Sequence, residues 1–247
     1  MKYFAKIKYL GTYFHGFQVQ PNARTVQGTL TEACAQAFST PVKVTGCSRT
    51  DSGVHANEFC LTLEMDGVSV PPEKLPLALM RYLPNDLSLF YAEEVDDEFH
   101  PRYSVKSKEY LYRIKNTRIL DPFDYGRVWF LPRTIDELGL DRMRSAARYI
   151  LGTHDFACFM AEGSDITDTV RTVYYLDLHK DGEYINVRIA ADGFLYNMVR
   201  IIVGTLVEAG DGRRDAASVR DALESKDRSK AGFTAPPQGL YLKEIYF

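Results

Sequence analysis

An α+β chain built from two ferredoxin-like (split βαβ) halves is what this sequence predicts, on three observations. Apolar periodicity switches repeatedly between the two-residue repeat of a strand and the roughly 3.6-residue repeat of a helix. Over the first hundred residues the switches run strand, helix, strand, strand, helix, strand, the order of a split βαβ unit. The second half runs through a similar succession, although the two halves share no visible sequence similarity. With 247 residues the chain can fill one large domain or two small ones, and no low-complexity or linker-like stretch separates the halves. The expected division is 1–103 and 104–247, the halves joined edge to edge into a largely antiparallel sheet over a central cleft.

The elements follow in order. Tyr3, Ala5, Ile7 and Tyr9 share one parity and predict a strand. Val26, Leu30, Ala33, Cys34, Ala37 and Phe38 recur at helical spacing behind Thr25, a candidate N-cap. Val42 and Val44 start a short strand, and Phe59 to Glu64 alternates again. A helix is expected after Pro71 and Pro72, running to about Tyr82, then a strand over Leu87 to Val95. In the second half, Tyr110 to Lys115 reads as a strand, and Leu140, Met143, Ala147, Ile150 and Leu151 mark a helix. Val170 to Leu178 and Tyr184 to Ala190 form a hairpin around Asp181-Gly182. A strongly apolar helix spans Leu195 to Glu208, a short one Ala216 to Leu223, and a last strand Gly239 to Tyr246.

Composition narrows the function class. Hydrophobic content is 45% and charged content 26%, ordinary for a globular protein. No apolar run is long enough to span a membrane, and the first residues lack the apolar core of a signal peptide, so a cytoplasmic protein is expected. Cys34, Cys47, Cys60 and Cys158 form no C-x-x-C pair and have no histidine at zinc spacing; free thiols and no metal are expected. The net charge of −3 alone argues mildly against nucleic acid. Its distribution argues the other way. Glu64 to Phe99 carries nine acids and two bases, whereas Pro101 to Arg118 carries six bases and one acid, interleaved with Tyr103, Tyr110 and Tyr112. Such a segment suits a one-sided surface that meets phosphates and bases; it equally suits a solvated strand face.

The most informative stretch is Gly46-Cys47-Ser48-Arg49-Thr50-Asp51-Ser52-Gly53-Val54-His55-Ala56, a loop between two predicted strands. Its chemistry fits an ordinary Asx-type turn as well as an active site. As a string, Arg49 to Ala56 resembles the segment around the catalytic aspartate of the TruA family of pseudouridine synthases, R-T-D-A-G-V-H-A. The resemblance runs on through Tyr9 to Gln18, Phe99 to Ser104, Gly152-Thr153-His154-Asp155-Phe156, Phe194 with Met198-Val199-Arg200 and Gly204, and Gly239-Leu240-Tyr241-Leu242. Leu10 stands where the family has aspartate, Phe17 where it has tryptophan, and Ser48 where a glycine often precedes the arginine.

The resemblance implies the pseudouridine synthase fold and isomerisation of uridine at positions 38, 39 and 40 of the tRNA anticodon arm. It implies a homodimer gripping one tRNA, no cofactor and no membrane. Asp51 takes the part of the catalytic carboxylate, by attack on C1′, attack on C6 or assistance to elimination. Tyr110 takes that of the active-site tyrosine, stacking on the base and removing the C5 proton; Tyr112 has the same strand parity. Arg200, a lone cation in an apolar helix, must snorkel or find an anion, and the resemblance names Asp51 as its partner. Arg49 resembles the residue that enters the RNA stack when the base leaves it, and Leu240 the apolar contact under the flipped base. Lys106, Lys108, Arg142, Arg144, Arg148, Arg213 and Arg214 are candidate phosphate contacts.

Three other readings compete. A non-catalytic protein of two RRM-like halves would carry an RNP1 string, which is absent. A glycosidase would need two carboxylates in comparable settings, and Asp51 alone has one. A relative in the same family acting on other RNAs is the third.

Overall fold

Strand β1 (Lys2–Tyr9) is an inner strand, antiparallel to β3 (His55–Met65) on one side and to β4 (Leu87–Glu94) on the other. Tyr3, Ala5 and Ile7 are fully buried, as their shared parity predicts. β2 (Val42–Gly46) pairs antiparallel with the C-terminal part of β3. The order is β4–β1–β3–β2, that of a split βαβ unit. Helix α1 (Val26–Phe38) is capped by the Thr25 hydroxyl, which accepts from the Gly28 N–H at 3.2 Å, and buries Val26, Leu30, Ala33 and Cys34. The short α2 (Leu75–Met80) follows a 3-10 turn over Pro72–Lys74.

The computed structural model describes residues 1–247 and divides them into two units, Met1–Lys106 with Tyr241–Phe247, and Ser107–Leu240. The last strand, β10 (Leu240–Tyr246), runs parallel to the start of β3, through Tyr241 opposite His55 and Leu242 opposite Ala56. The sequence reading puts this strand with the second half. Nearly all of it belongs to the first unit, because its hydrogen-bonding partner β3 lies there.

The second unit carries the order β5–β9–β8–β7, antiparallel throughout, with the two-residue β6 (Trp129–Phe130) parallel to β5. These strands are β5 (Ser107–Lys115), β7 (Gly152–Asp155), β8 (Val170–Asp181) and β9 (Tyr184–Ala191). β8 and β9 form the expected hairpin, with Gly182 at φ +56° in its turn. Helix α3 (Glu137–Ala147) packs on α4 (Met198–Gly210), which is buried along almost its whole length; α5 (Ala217–Ser225) follows. Two helix boundaries differ from expectation. α4 begins at Met198 and not Leu195, because Asn197 adopts a left-handed conformation, φ +59°. Leu195 is buried all the same, so the apolar pattern runs on through the turn. α3 ends before Ile150 and Leu151, as the chain turns into Gly152 at φ +97°.

Candidate active site

The loop Cys47–Val54 joins β2 to β3, and a second segment, Tyr9–Phe17, forms its bed. Phe17 N–H donates to the Thr50 carbonyl at 3.1 Å, and Gly53 N–H to the Phe14 carbonyl at 3.2 Å. The Ser52 hydroxyl reaches the same Phe14 oxygen at 3.3 Å, and the Tyr9 and Thr50 hydroxyls bond each other at 2.8 Å, buried. Two glycines permit this approach. A Cβ on Gly16 would stand 2.7 Å from the Thr50 oxygen, and one on Gly11 would run into the Val54 carbonyl. His55 closes the loop. Its Nδ1 accepts from Gly11 N–H at 2.9 Å, which puts the neutral ring's proton on Nε2, and the ring stacks on Tyr241 with centroids 4.4 Å apart. Asp51 is thus half-buried on a backbone fixed from both sides, and Arg49, two residues earlier, is exposed.

The Tyr9–Gln18 motif is therefore the structural support of the Asp51 loop. Phe17, one of the departures from the family pattern, is a core ring stacked on Phe59 at 4.3 Å, and Leu10, another, is exposed. Sequence reasoning did not find the Tyr9–Thr50 or Gly11–His55 bonds. Their only sequence signal is glycine and hydroxyl positions about forty residues apart.

In the second unit, Tyr110 and Tyr112 point to the same side of β5, opposite Ile189 and Val187 of β9. Their settings differ. Tyr112 is fully buried and its hydroxyl donates to the Pro236 carbonyl at 2.6 Å. Burial pushes its phenol well above the usual range, with Arg200 opposing. Tyr110 packs edge-on against Phe194, centroids 5.0 Å apart. Arg200, in the first turn of α4, is held from two sides: Nε donates to the Ala235 carbonyl at 2.7 Å and Nη1 to the Asn197 carboxamide at 2.6 Å. The left-handed Asn197 that delays the helix therefore also positions this arginine. Leu240, the buried first residue of β10, follows a 3-10 turn at Pro237–Gly239.

The candidate phosphate contacts separate into two groups. Lys106 and Arg148 are exposed, and neither side chain has a hydrogen bond or ion pair; Lys108 is half-buried. Arg142 faces inward instead, donating to the Gly210 carbonyl at the end of α4 at 2.8 Å. Arg144 pairs with Asp141 at 3.0 Å, and Arg213 with Asp211 at 3.0 Å. Arg214 ties α4 to the chain after α5, through Glu208 at 3.1 Å and the Lys230 carbonyl at 2.7 Å. The Pro101–Arg118 stretch is not one-sided either. Lys115 is buried between Asp124 and Glu183, at 3.3 and 3.0 Å. All four cysteines are free and buried, and burial raises the thiols of Cys34 and Cys158 to about 12.

Comparison with known proteins gives a consistent result. A family model described as tRNA pseudouridine synthase matches residues 5–104 and 146–247. The tRNA pseudouridine synthase A of Thermoanaerobacter sp. (strain X514) is 46% identical over 98% of this chain and 97% of its own length. That of Bacillus pumilus (strain SAFR-032) is 40% identical over 100% of this chain and 99% of its own. A solved Cbf5-Nop10-Gar1 complex matches at TM-score 0.35 and 10% identity over 83% of this chain and 53% of that one, too slight a likeness to carry an argument.

Proposed function

Because the chain belongs to the tRNA pseudouridine synthase family, we propose that it acts at positions 38, 39 and 40 of the tRNA anticodon arm with Asp51 as its catalytic carboxylate. The reaction class, isomerisation of uridine within tRNA, follows from the family. The observation that carries the finer reading is near full-length identity of 46% to a tRNA pseudouridine synthase A. The firm backbone bed under the Asp51 loop supports it, since a group acting at one bond must be held to within a fraction of an ångström.

The chemistry assigns the parts. The N1–C1′ bond breaks, the base turns, a C5–C1′ bond forms, the C5 proton leaves and N1 regains a proton. Nothing is oxidised and no atom is added, so acid–base and carboxylate chemistry suffices. Asp51 acts at the glycosidic bond. Tyr110 stacks on the base and takes the C5 proton; the buried, bonded phenol of Tyr112 is a poor alternative. Arg200 is assigned the task of keeping the carboxylate charged, on the family resemblance, as is Leu240 the apolar support of the base. Arg49, exposed on the Asp51 loop, fills the stack when the nucleotide flips out, a step costing a few kcal/mol. Lys106, Lys108 and Arg148 contact the RNA backbone.

The family resemblance also supports a cytoplasmic homodimer. No helix is long and apolar enough to cross a membrane. Mapping pseudouridine in tRNA from cells with and without the gene tests the reading. Loss at positions 38 to 40 is expected; unchanged modification there, or loss only elsewhere, overturns it.

A further inference from the structure

Arg171, at the start of β8, has a setting that no part of the proposed chemistry uses. Its side chain is only 19% exposed, yet its one carboxylate neighbour is Asp168 at 3.9 Å, itself 81% exposed. Nη1 donates to the adjacent Val170 carbonyl. Nε and Nη2 donate to nothing in the protein. The Nε–Nη2 edge is unpaired within the protein and keeps contact with solvent, so an anion can reach it. The uncommitted edge is the one that offers two parallel N–H groups to a single anion.

The stem lies over Gly193. A Cβ there would stand 3.4 Å from Cδ and 3.2 Å from Nε of Arg171, so glycine gives the side chain room to lie flat. Neighbouring Asp192 forms no ion pair with Arg171; its carboxylate accepts from Thr172 N–H at 2.9 Å. The next residue is Phe194, the ring that meets Tyr110 edge-on. The short segment Asp192-Gly193-Phe194 thus links an open guanidinium edge to the tyrosine assigned to the base.

We propose that Arg171 binds a backbone phosphate of the RNA next to the reacting nucleotide, through its Nε–Nη2 edge. The location rests on the assignment of Tyr110; the phosphate contact does not. A bidentate grip there fixes the sugar–phosphate backbone while the base moves, which is positioning and not base readout.

The test is tRNA affinity across a series of salt concentrations, with single-turnover rates, for wild type, Arg171→Gln and Arg171→Lys. Arg171→Gln is expected to weaken binding about tenfold at low salt. It should also make the slope of log K against log salt shallower by about 0.7 to 0.9, the contribution of one phosphate. Arg171→Lys should restore the slope but not the full affinity, because an ammonium cannot make the paired contact. A wild-type slope in Arg171→Gln overturns the proposal. If that variant does not fold, Arg171→Lys decides: wild-type affinity there is equally fatal. Inorganic phosphate that protects wild type but not Arg171→Gln from heat, with the tRNA slope unchanged, would make this a free-anion site and also refute the RNA assignment. Failure of the Tyr110 reading is separately visible, as full activity in Tyr110→Phe.

Discussion

Gly11→Ala tests whether the bed beneath the Asp51 loop matters to catalysis. The added methyl would collide with the Val54 carbonyl, lying 2.5 Å from its carbon and 3.0 Å from the Val54 nitrogen. Ordinary contact begins near 3.4 Å, and the carbonyl oxygen, carbon and nitrogen of Val54 that the methyl meets are all backbone, so one segment must move by more than about 1 Å. The same shift pulls Gly11 N–H from His55 Nδ1, a bond of 2.9 Å. Overpacking of this kind costs about 1–3 kcal/mol of stability. For a chain of this size that lowers Tm by roughly 2–4 °C per kcal/mol. A misplacement of about 1 Å at the reacting groups costs on the order of a hundredfold in rate, or about 2.7 kcal/mol of barrier. The assay is single-turnover release of tritium from C5 of labelled uridine in tRNA, at temperatures where the variant is folded. A hundredfold slower release with near wild-type tRNA affinity is expected. Wild-type release from a folded Gly11→Ala enzyme would show that the contact of the two segments does not position Asp51.

Further outcomes follow from the same geometry. Tyr110→Phe should slow product formation by about 10²–10⁴-fold, whereas Tyr112→Phe, which strips the Pro236 carbonyl of its donor, should cost about 1–3 kcal/mol of stability and keep activity; an inactive Tyr112→Phe beside an active Tyr110→Phe would exchange their roles. Lys106→Glu should weaken tRNA binding and flatten its salt dependence without unfolding the protein, while Arg142→Glu should lower Tm first, because it puts a carboxylate at the C-terminal end of α4 where Arg142 now donates to Gly210; equal losses of binding at unchanged Tm would contradict this. The Lys226 ammonium at 2.8 Å and the Thr169 hydroxyl hold the Asp155 carboxyl below its ordinary value. A depressed carboxyl contributes stability above its unfolded pKa and loses it as pH falls through the folded one. Wild type should therefore lose up to ~1 kcal/mol relative to Asp155→Asn below about pH 4, with no such difference in slope above pH 5, as denaturation across that range would reveal.

The parts of this fold that sequence made legible are those where local pattern and tertiary role agree. α1 has its Thr25 cap and a buried face at helical spacing, and β1 buries Tyr3, Ala5, Ile7 and Tyr9 on the face their parity marks, although Phe4 is buried on the other. Legibility fails where the backbone is set by distant contacts. α4 starts late because Asn197 is left-handed, and β7 has no alternation to read, since Gly152-Thr153-His154-Asp155 is half-buried at most. The partition of the last strand depends on pairing with β3, nearly two hundred residues earlier. The site divides in the same way. The Arg49–Ala56 string is recognisable as it stands, but its support by Gly11, Gly16 and Tyr9 is a tertiary fact. Arg142 reads as a surface cation because its partner, the Gly210 carbonyl, lies on another helix, and Arg214 because it turns back onto Glu208 of the preceding helix, a fold of the chain that local pattern does not show.

The central claim is that the Asp51 carboxylate breaks the glycosidic bond. Asp51→Asn is nearly isosteric and removes only the charge, so the loop bonds of Thr50, Gly53 and Val54 should persist and tRNA binding should stay near wild type. The most direct measurement is the single-turnover yield of pseudouridine from a tRNA transcript with enzyme in excess of substrate. The predicted result is no detectable product from folded, tRNA-bound Asp51→Asn. Turnover within about tenfold of wild type, a loss of only ~1.4 kcal/mol, would contradict the assignment.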